Sequence, residues 1–129
     1  MVGFFPLSVI ELFEFGRGAR WKTALVIVDV QVNMFGEDFR VHDARGVLGR
    51  SVALAQAARD SGAPVIYVRN NGSKGQPNEP GTPGWEFHPQ VSPMRGEAII
   101  DKSGPDAFEG TQLREYLDER GIDHLVVTG

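Results

Sequence analysis

Five apolar residues in succession, Ala24-Leu25-Val26-Ile27-Val28, run straight into the carboxylate of Asp29. A short continuous apolar run rich in β-branched residues reads as a strand buried on both faces, as in parallel sheets covered by helices. Three more such runs follow: Pro64-Val65-Ile66-Tyr67-Val68, Glu97-Ala98-Ile99-Ile100-Asp101-Lys102 and His124-Leu125-Val126-Val127-Thr128. Between the first two, Val47, Leu48, Val52, Leu54, Ala55 and Ala58 recur at helical spacing, which predicts an amphipathic helix over 44–61. Gly62 ends it in the position favoured after a helix C-terminus. A second helix is predicted over 111–120, with Leu113, Tyr116 and Leu117 inward and Gly121 after it. Strands near 24–29, 64–68, 97–101 and 124–128, alternating with helices, predict an α/β fold with a parallel sheet and right-handed crossovers.

Residues 69–93 break the pattern. Asn70-Asn71-Gly72-Ser73-Lys74-Gly75 and the run 77–84 are dense in turn formers and predict a long loop. Loops of this length in a small domain are functional or disordered, and Trp85 and Phe87 favour an ordered one. Residues 1–22 are apolar in part, but Glu11 and Glu14 interrupt the run and no basic residue precedes it. This is neither a secretory leader nor a membrane span, so it reads as an extension outside a domain over 23–129. Val9 to Phe15 has room for one or two amphipathic turns. A cytoplasmic protein is the expectation.

Composition then narrows the chemistry. At 129 residues and 41% hydrophobic content, one small domain with a packed core is expected. The net charge of −4, with lysines and arginines scattered, argues against nucleic-acid or membrane-surface partners. The chain contains no cysteine, so the 129 residues hold no disulfide, thiolate ligand or thiol nucleophile.

In open α/β sheets, ligands sit outside the carboxyl ends of the strands. Asp29 and Lys102 stand at such ends, on strands read as neighbours. A carboxylate beside an ammonium in a partly dry cleft can position a proton and hold a developing anion. The alternative is a structural ion pair. Strand alternation turns Asp101 away from Lys102. His42, His88 and His124 lie far apart without metal-ligand spacing, and no phosphate-cradling glycine motif follows any strand. No metal and no cofactor are therefore expected. His88 either lines a pocket or bonds to backbone, and His124 reads as structural.

Three stretches, in this order and spacing, carry a resemblance: 24–31 (ALVIVDVQ), 81–89 (GTPGWEFHP) and 101–111 (DKSGPDAFEGT). Together they resemble the isochorismatase-like family of cysteine hydrolases over about 23–129. The resemblance implies a Rossmann-like parallel sheet in the order 3-2-1-4, with the Asp29 strand central and the sheet incomplete at Gly129. It also implies catalytic roles for Asp29, as acceptor of a thiol proton, and for Lys102, whose charge favours thiolate and anionic intermediate. The family's cysteine follows the strand that here is 124–128, at a helix N-terminus where its pKa is lowered. That position falls past Gly129. Metal-binding nicotinamidases carry an Asp-x-His pair after the second strand; here Arg69-Asn70-Asn71-Gly72 stands there, so a metal-free subfamily is the closer analogy. Phe35, Trp85 and His88 are the candidate substrate-binding residues.

Two functions stay open. One is a hydrolase of a small amide, imide or vinyl-ether substrate, inactive as written for want of its cysteine. The other is a binding or assembly module that keeps the fold. A phosphoacceptor domain is disfavoured, lacking an acidic cluster beside the first strand. Ser103 and Thr128 are weak substitutes for the thiol. A small-molecule substrate, homo-oligomerisation through the open sheet edge and poor stability of the 129 residues alone are expected.

Overall fold

A computed structural model describes residues 22–37 and 41–129. The elements, in order, are β1 (Thr23–Val28), a 3-10 turn (Val32–Met34), α1 (Ala44–Asp60), β2 (Val65–Asn70), a second 3-10 turn (Pro83–Trp85), β3 (Ala98–Lys102), α2 (Leu113–Glu119) and β4 (His124–Thr128). The reading of residues 1–21 as an extension lies outside the described residues. Lys22 is already tied to the domain: its backbone N–H donates to Asp123 Oδ1 at 2.7 Å and its Nζ to the Arg120 carbonyl at 3.0 Å.

The four strands form one parallel sheet in the order β3-β2-β1-β4. β1 is central because its residues can be buried on both faces, and alternation divides them between two cores. Leu25 and Ile27 pack with Val65 and Tyr67 of β2 against Ala55 and Ala58 of α1. Ala24 and Val26 turn the other way and join Ile66, Val68, Ile100 and the inner residues of α2, Leu113 and Leu117. The edge strand β4 is only half covered. Val126 reaches the α1 core, whereas Leu125 and Val127, which share the α2 face with Ala24 and Val26, are exposed, Val127 by 63%.

Several boundaries differ from the sequence reading. β2 continues two residues past Val68, to Asn70, because the β3 ladder still pairs it there: Asn70 lies opposite Lys102. α2 begins at Leu113 rather than 111, since Thr111 is spent as a turn residue, its Oγ1 donating to the Ala107 carbonyl and accepting from the Leu113 N–H. Gly62 and Gly121, with φ of +77° and +63°, do end the two helices in the left-handed conformation. The long connection from β2 to β3 is anchored by both aromatics. Phe87 bridges to Gln31 and stacks edge-on against Tyr67 at 5.6 Å, and Trp85 donates its indole N–H to Asn71 Oδ1 at 2.7 Å. At the opposite end of the sheet, Arg59 grips Glu97 through two hydrogen bonds and donates a third to the Tyr67 hydroxyl. That network fastens α1 to the start of β3.

Candidate active site

The chain leaves the sheet at Asp29. Its N–H still donates to the Val68 carbonyl, the last rung of the β1–β2 ladder, but its φ of +57° is left-handed and turns the backbone out of the sheet. An aspartate tolerates this conformation better than most residues, at a local cost in strain. The turn aims the carboxylate across the carboxyl ends of the strands, where Oδ2 meets Lys102 Nζ at 3.3 Å.

The strands bearing this pair are not neighbours. β2 lies between β1 and β3, as the order 3-2-1-4 implied by the resemblance has it, which corrects the reading of these two strands as neighbours. Lys102 bridges the gap with its long side chain, which is why lysine stands at that position and a shorter cation would not reach. The side chain is only 4% exposed, against 33% for Asp29. Its ammonium has three acceptors in reach: Asp29 Oδ2, Asn70 Oδ1 at 3.3 Å and the Gly104 carbonyl at 3.0 Å. A buried ammonium has three N–H bonds to satisfy, and this set matches that number. Asp29 Oδ1, by contrast, is buried and has no hydrogen-bond partner among the described residues.

Beside Asp29 lies a cleft of about 210 Å³. Met34, Phe35, Val41 and Val47 give it apolar walls, and Gly129 closes one side. A Cβ at Gly129 would collide with the Val28 carbonyl oxygen, so only glycine lets the end of β4 press this closely on β1. The cleft thus holds one carboxylate in apolar surroundings, backed by a buried cation. Such a setting suits proton transfer at a small, largely apolar molecule.

The three candidate substrate-binding residues take different places. Phe35 lines the cleft. His88 stacks edge-on against Phe35, with centroids 5.2 Å apart, one layer behind the wall. Trp85 is not among the cleft's lining residues; it lies under the Arg69 guanidinium at 3.6 Å, and Arg69 is also paired with Asp101 at 2.7 Å. Asp101 accordingly points away from Lys102, as alternation requires. Thr128 shares a hydrogen bond with Ser51 at 3.3 Å, and Ser103 is exposed. Among the described residues, no three His, Asp or Glu side chains gather as metal ligands would, and no helix is long and apolar enough to cross a membrane.

Burial holds His88 below the ordinary imidazole value of 6.5. Its Nδ1 accepts the Gln90 N–H at 3.1 Å, a bond that the protonated ring cannot make. As pH falls through 6.5 the unfolded chain takes up a proton that the folded ring resists, so stability declines on the acid side and is unaffected above it. We expect the pH dependence of urea midpoints below 6.5 to flatten in His88→Gln. An imidazole NMR titration at or above 6.5 would contradict this.

Sequence reasoning places Gln31 in the motif 24–31 and Asn70 after the second strand but gives neither a role. Gln31 is 1% exposed; its Oε1 accepts the Asn70 N–H at 2.9 Å, and its Nε2 donates to the carbonyls of Asn70 and Trp85 at 3.0 and 2.9 Å. The available signal was a glutamine set between two valines just after an apolar strand, where a polar side chain needs internal partners.

With this geometry in hand, comparison with known proteins identifies the scaffold. The Isochorismatase domain family model matches residues 23–129. This chain belongs to the isochorismatase family. It is 39% identical over 106 residues to a streptothricin hydrolase of Streptomyces noursei, covering 82% of this chain and 38% of that protein. It is 30% identical over 112 residues to an N-carbamoylsarcosine amidase of Arthrobacter sp., covering 73% and 42%. Among solved structures, an isochorismatase from Pseudomonas putida KT2440 superposes with a TM-score of 0.77 at 32% identity, covering 95% of this chain and 64% of that one. This isochorismatase-family chain therefore spans about two-fifths of the length of those two curated relatives.

Proposed function

We propose that the polypeptide carrying this chain hydrolyses a small amide, imide or vinyl-ether substrate through a covalent thiol adduct. The observation that carries the reading is the Asp29–Lys102 pair at the head of the central strand, with one carboxylate oxygen left without a partner beside an apolar cleft. The Asp29 carboxylate takes the proton of the thiol, and Lys102 offers positive charge to the thiolate and to the oxyanion that forms on attack. For an amide or imide, collapse of that intermediate returns the proton to the leaving nitrogen, and water then hydrolyses the thioester, its hydroxyl going to the acyl carbon and its proton back to the thiolate. Phe35 and Met34 hold the substrate's apolar part, and His88 supports Phe35 from behind. The resemblance puts the cysteine on the segment after β4, whose end at Gly129 borders the same cleft. Relatives named for hydrolase and amidase activity support an amide-type substrate. The reading involves no metal ion, and elemental analysis of untagged protein is expected to find far less than one zinc or iron per chain. A free catalytic thiol fits the reducing cytoplasm, where we place the protein.

Ammonia release from a panel of small amides and N-carbamoyl compounds tests the reading. Turnover is expected from a polypeptide in which the family's cysteine segment follows this chain, and none from the 129 residues alone, which contain no cysteine. Turnover by the 129 residues that disappears in Asp29→Ala would overturn the thiol mechanism. The second reading is a binding module on the same fold, which a polypeptide carrying this chain and the cysteine segment, yet inert toward the whole panel, would support.

The same proposal includes self-association. Leu125 and Val127 form an exposed apolar face on an edge strand, which invites pairing with a second copy. Light scattering on the 129 residues is expected to show oligomers, and Val127→Lys to shift them toward monomer.

A further inference from the structure

Lys102 depends on an arrangement that begins outside the Asp29–Lys102 pair. Beyond Asp29, β1 has left the sheet, yet β2 runs on to Asn70. The side of Asn70 that faced β1 would therefore present a bare N–H and carbonyl to a buried region, which is costly. The Gln31 carboxamide fills that place. It accepts from the Asn70 N–H and donates to the Asn70 carbonyl, so a side chain continues the ladder that the backbone has abandoned. Its remaining N–H goes to the Trp85 carbonyl, which fixes the 83–85 turn to the same point. With its backbone held on both sides, by Gln31 and by the β3 ladder, Asn70 presents Oδ1 to Lys102 Nζ.

We infer that Gln31 is a positioning residue: acting through Asn70, it sets where the Lys102 ammonium sits against Asp29. The inference rests on the reading of Lys102 as a working group of the site, but its consequence for the amine can be measured without turnover. An amine that is out of water with all three N–H bonds engaged is acylated slowly. Losing one acceptor of an ammonium whose side chain is only 4% exposed leaves the group under-satisfied and free to leave its site. Gln31→Glu is near in shape but cannot donate to Asn70 or Trp85. Asn70→Ala removes the acceptor itself, and Asn70→Asp keeps it.

The chain has three lysines, Lys22, Lys74 and Lys102, of which Lys74 is exposed and serves as an internal reference. The test is acetylation by acetic anhydride, read peptide by peptide by mass spectrometry, with folding checked by circular dichroism. Lys102 labelling relative to Lys74 is expected to rise about tenfold in Gln31→Glu and in Asn70→Ala and to stay at the native level in Asn70→Asp. Unchanged labelling in folded Gln31→Glu would overturn the inference. So would unfolding of Gln31→Glu where Asn70→Ala stays folded, since Gln31 would then hold the fold and not the ammonium. If Lys102 proves dispensable for hydrolysis while the labelling changes appear, the positioning stands and the catalytic reading alone fails.

Discussion

Under the proposed hydrolase function, replacing Lys102 with methionine in a polypeptide that carries this chain and the family's cysteine is expected to lower kcat/KM by about a hundred- to a thousandfold, the range seen when a preorganised electrostatic donor is removed. Methionine fills much the same volume, so the packing between β2 and β3 persists while the charge is lost. Three acceptors are then left without their donor: Asp29 Oδ2, Asn70 Oδ1 and the Gly104 carbonyl. Of these, the Asp29 carboxylate matters most, because its other oxygen already has no partner. We expect a stability loss of about 2 kcal/mol in urea melts, moderated by the partial exposure of Asp29 to water. Lys102→Arg is expected to recover little activity, since a planar guanidinium cannot direct its N–H bonds to three acceptors spread around one nitrogen. Near-native turnover in Lys102→Met would remove the cation from the mechanism and leave a structural ion pair.

Leu25→Ala is expected to destabilise the domain by about 3–4 kcal/mol without touching the site chemistry. Leu25 is 0% exposed and lies on the central strand, opposite Val65 of β2 and Val126 of β4. Its side chain fills the core between the sheet and α1, lined by Ile27, Tyr67, Ala55 and Ala58. The small alanines of α1 cannot expand into the space left, so a cavity remains and adds to the lost transfer energy. Urea denaturation of Leu25→Ala checks the magnitude. A loss below about 1 kcal/mol would mean that the core relaxes around the site far more than close packing allows.

The sequence by itself determined the four strands, both helices and the exit of Asp29 and Lys102 at the same end of the sheet. These follow from local pattern: apolar runs such as 24–28 can be stable only when buried on both faces, and strand direction then places the residue after each run. The motif stretches determined the family. What only the tertiary structure decided is how the charged groups meet. That Lys102 reaches Asp29 across an intervening strand depends on register, Asn70 opposite Lys102, and on the left-handed turn at Asp29. Register between strands is fixed by packing of residues distant in sequence, which no local periodicity encodes. The same holds for the aromatics. Phe35, Trp85 and His88 look alike as pocket candidates, yet one lines the cleft, one stacks behind it and one lies under Arg69. Gln31 shows the difference most clearly. In the sequence it is one polar residue between valines; in the fold it takes over a sheet ladder where β1 departs, because a buried strand end must have its hydrogen bonds supplied from somewhere.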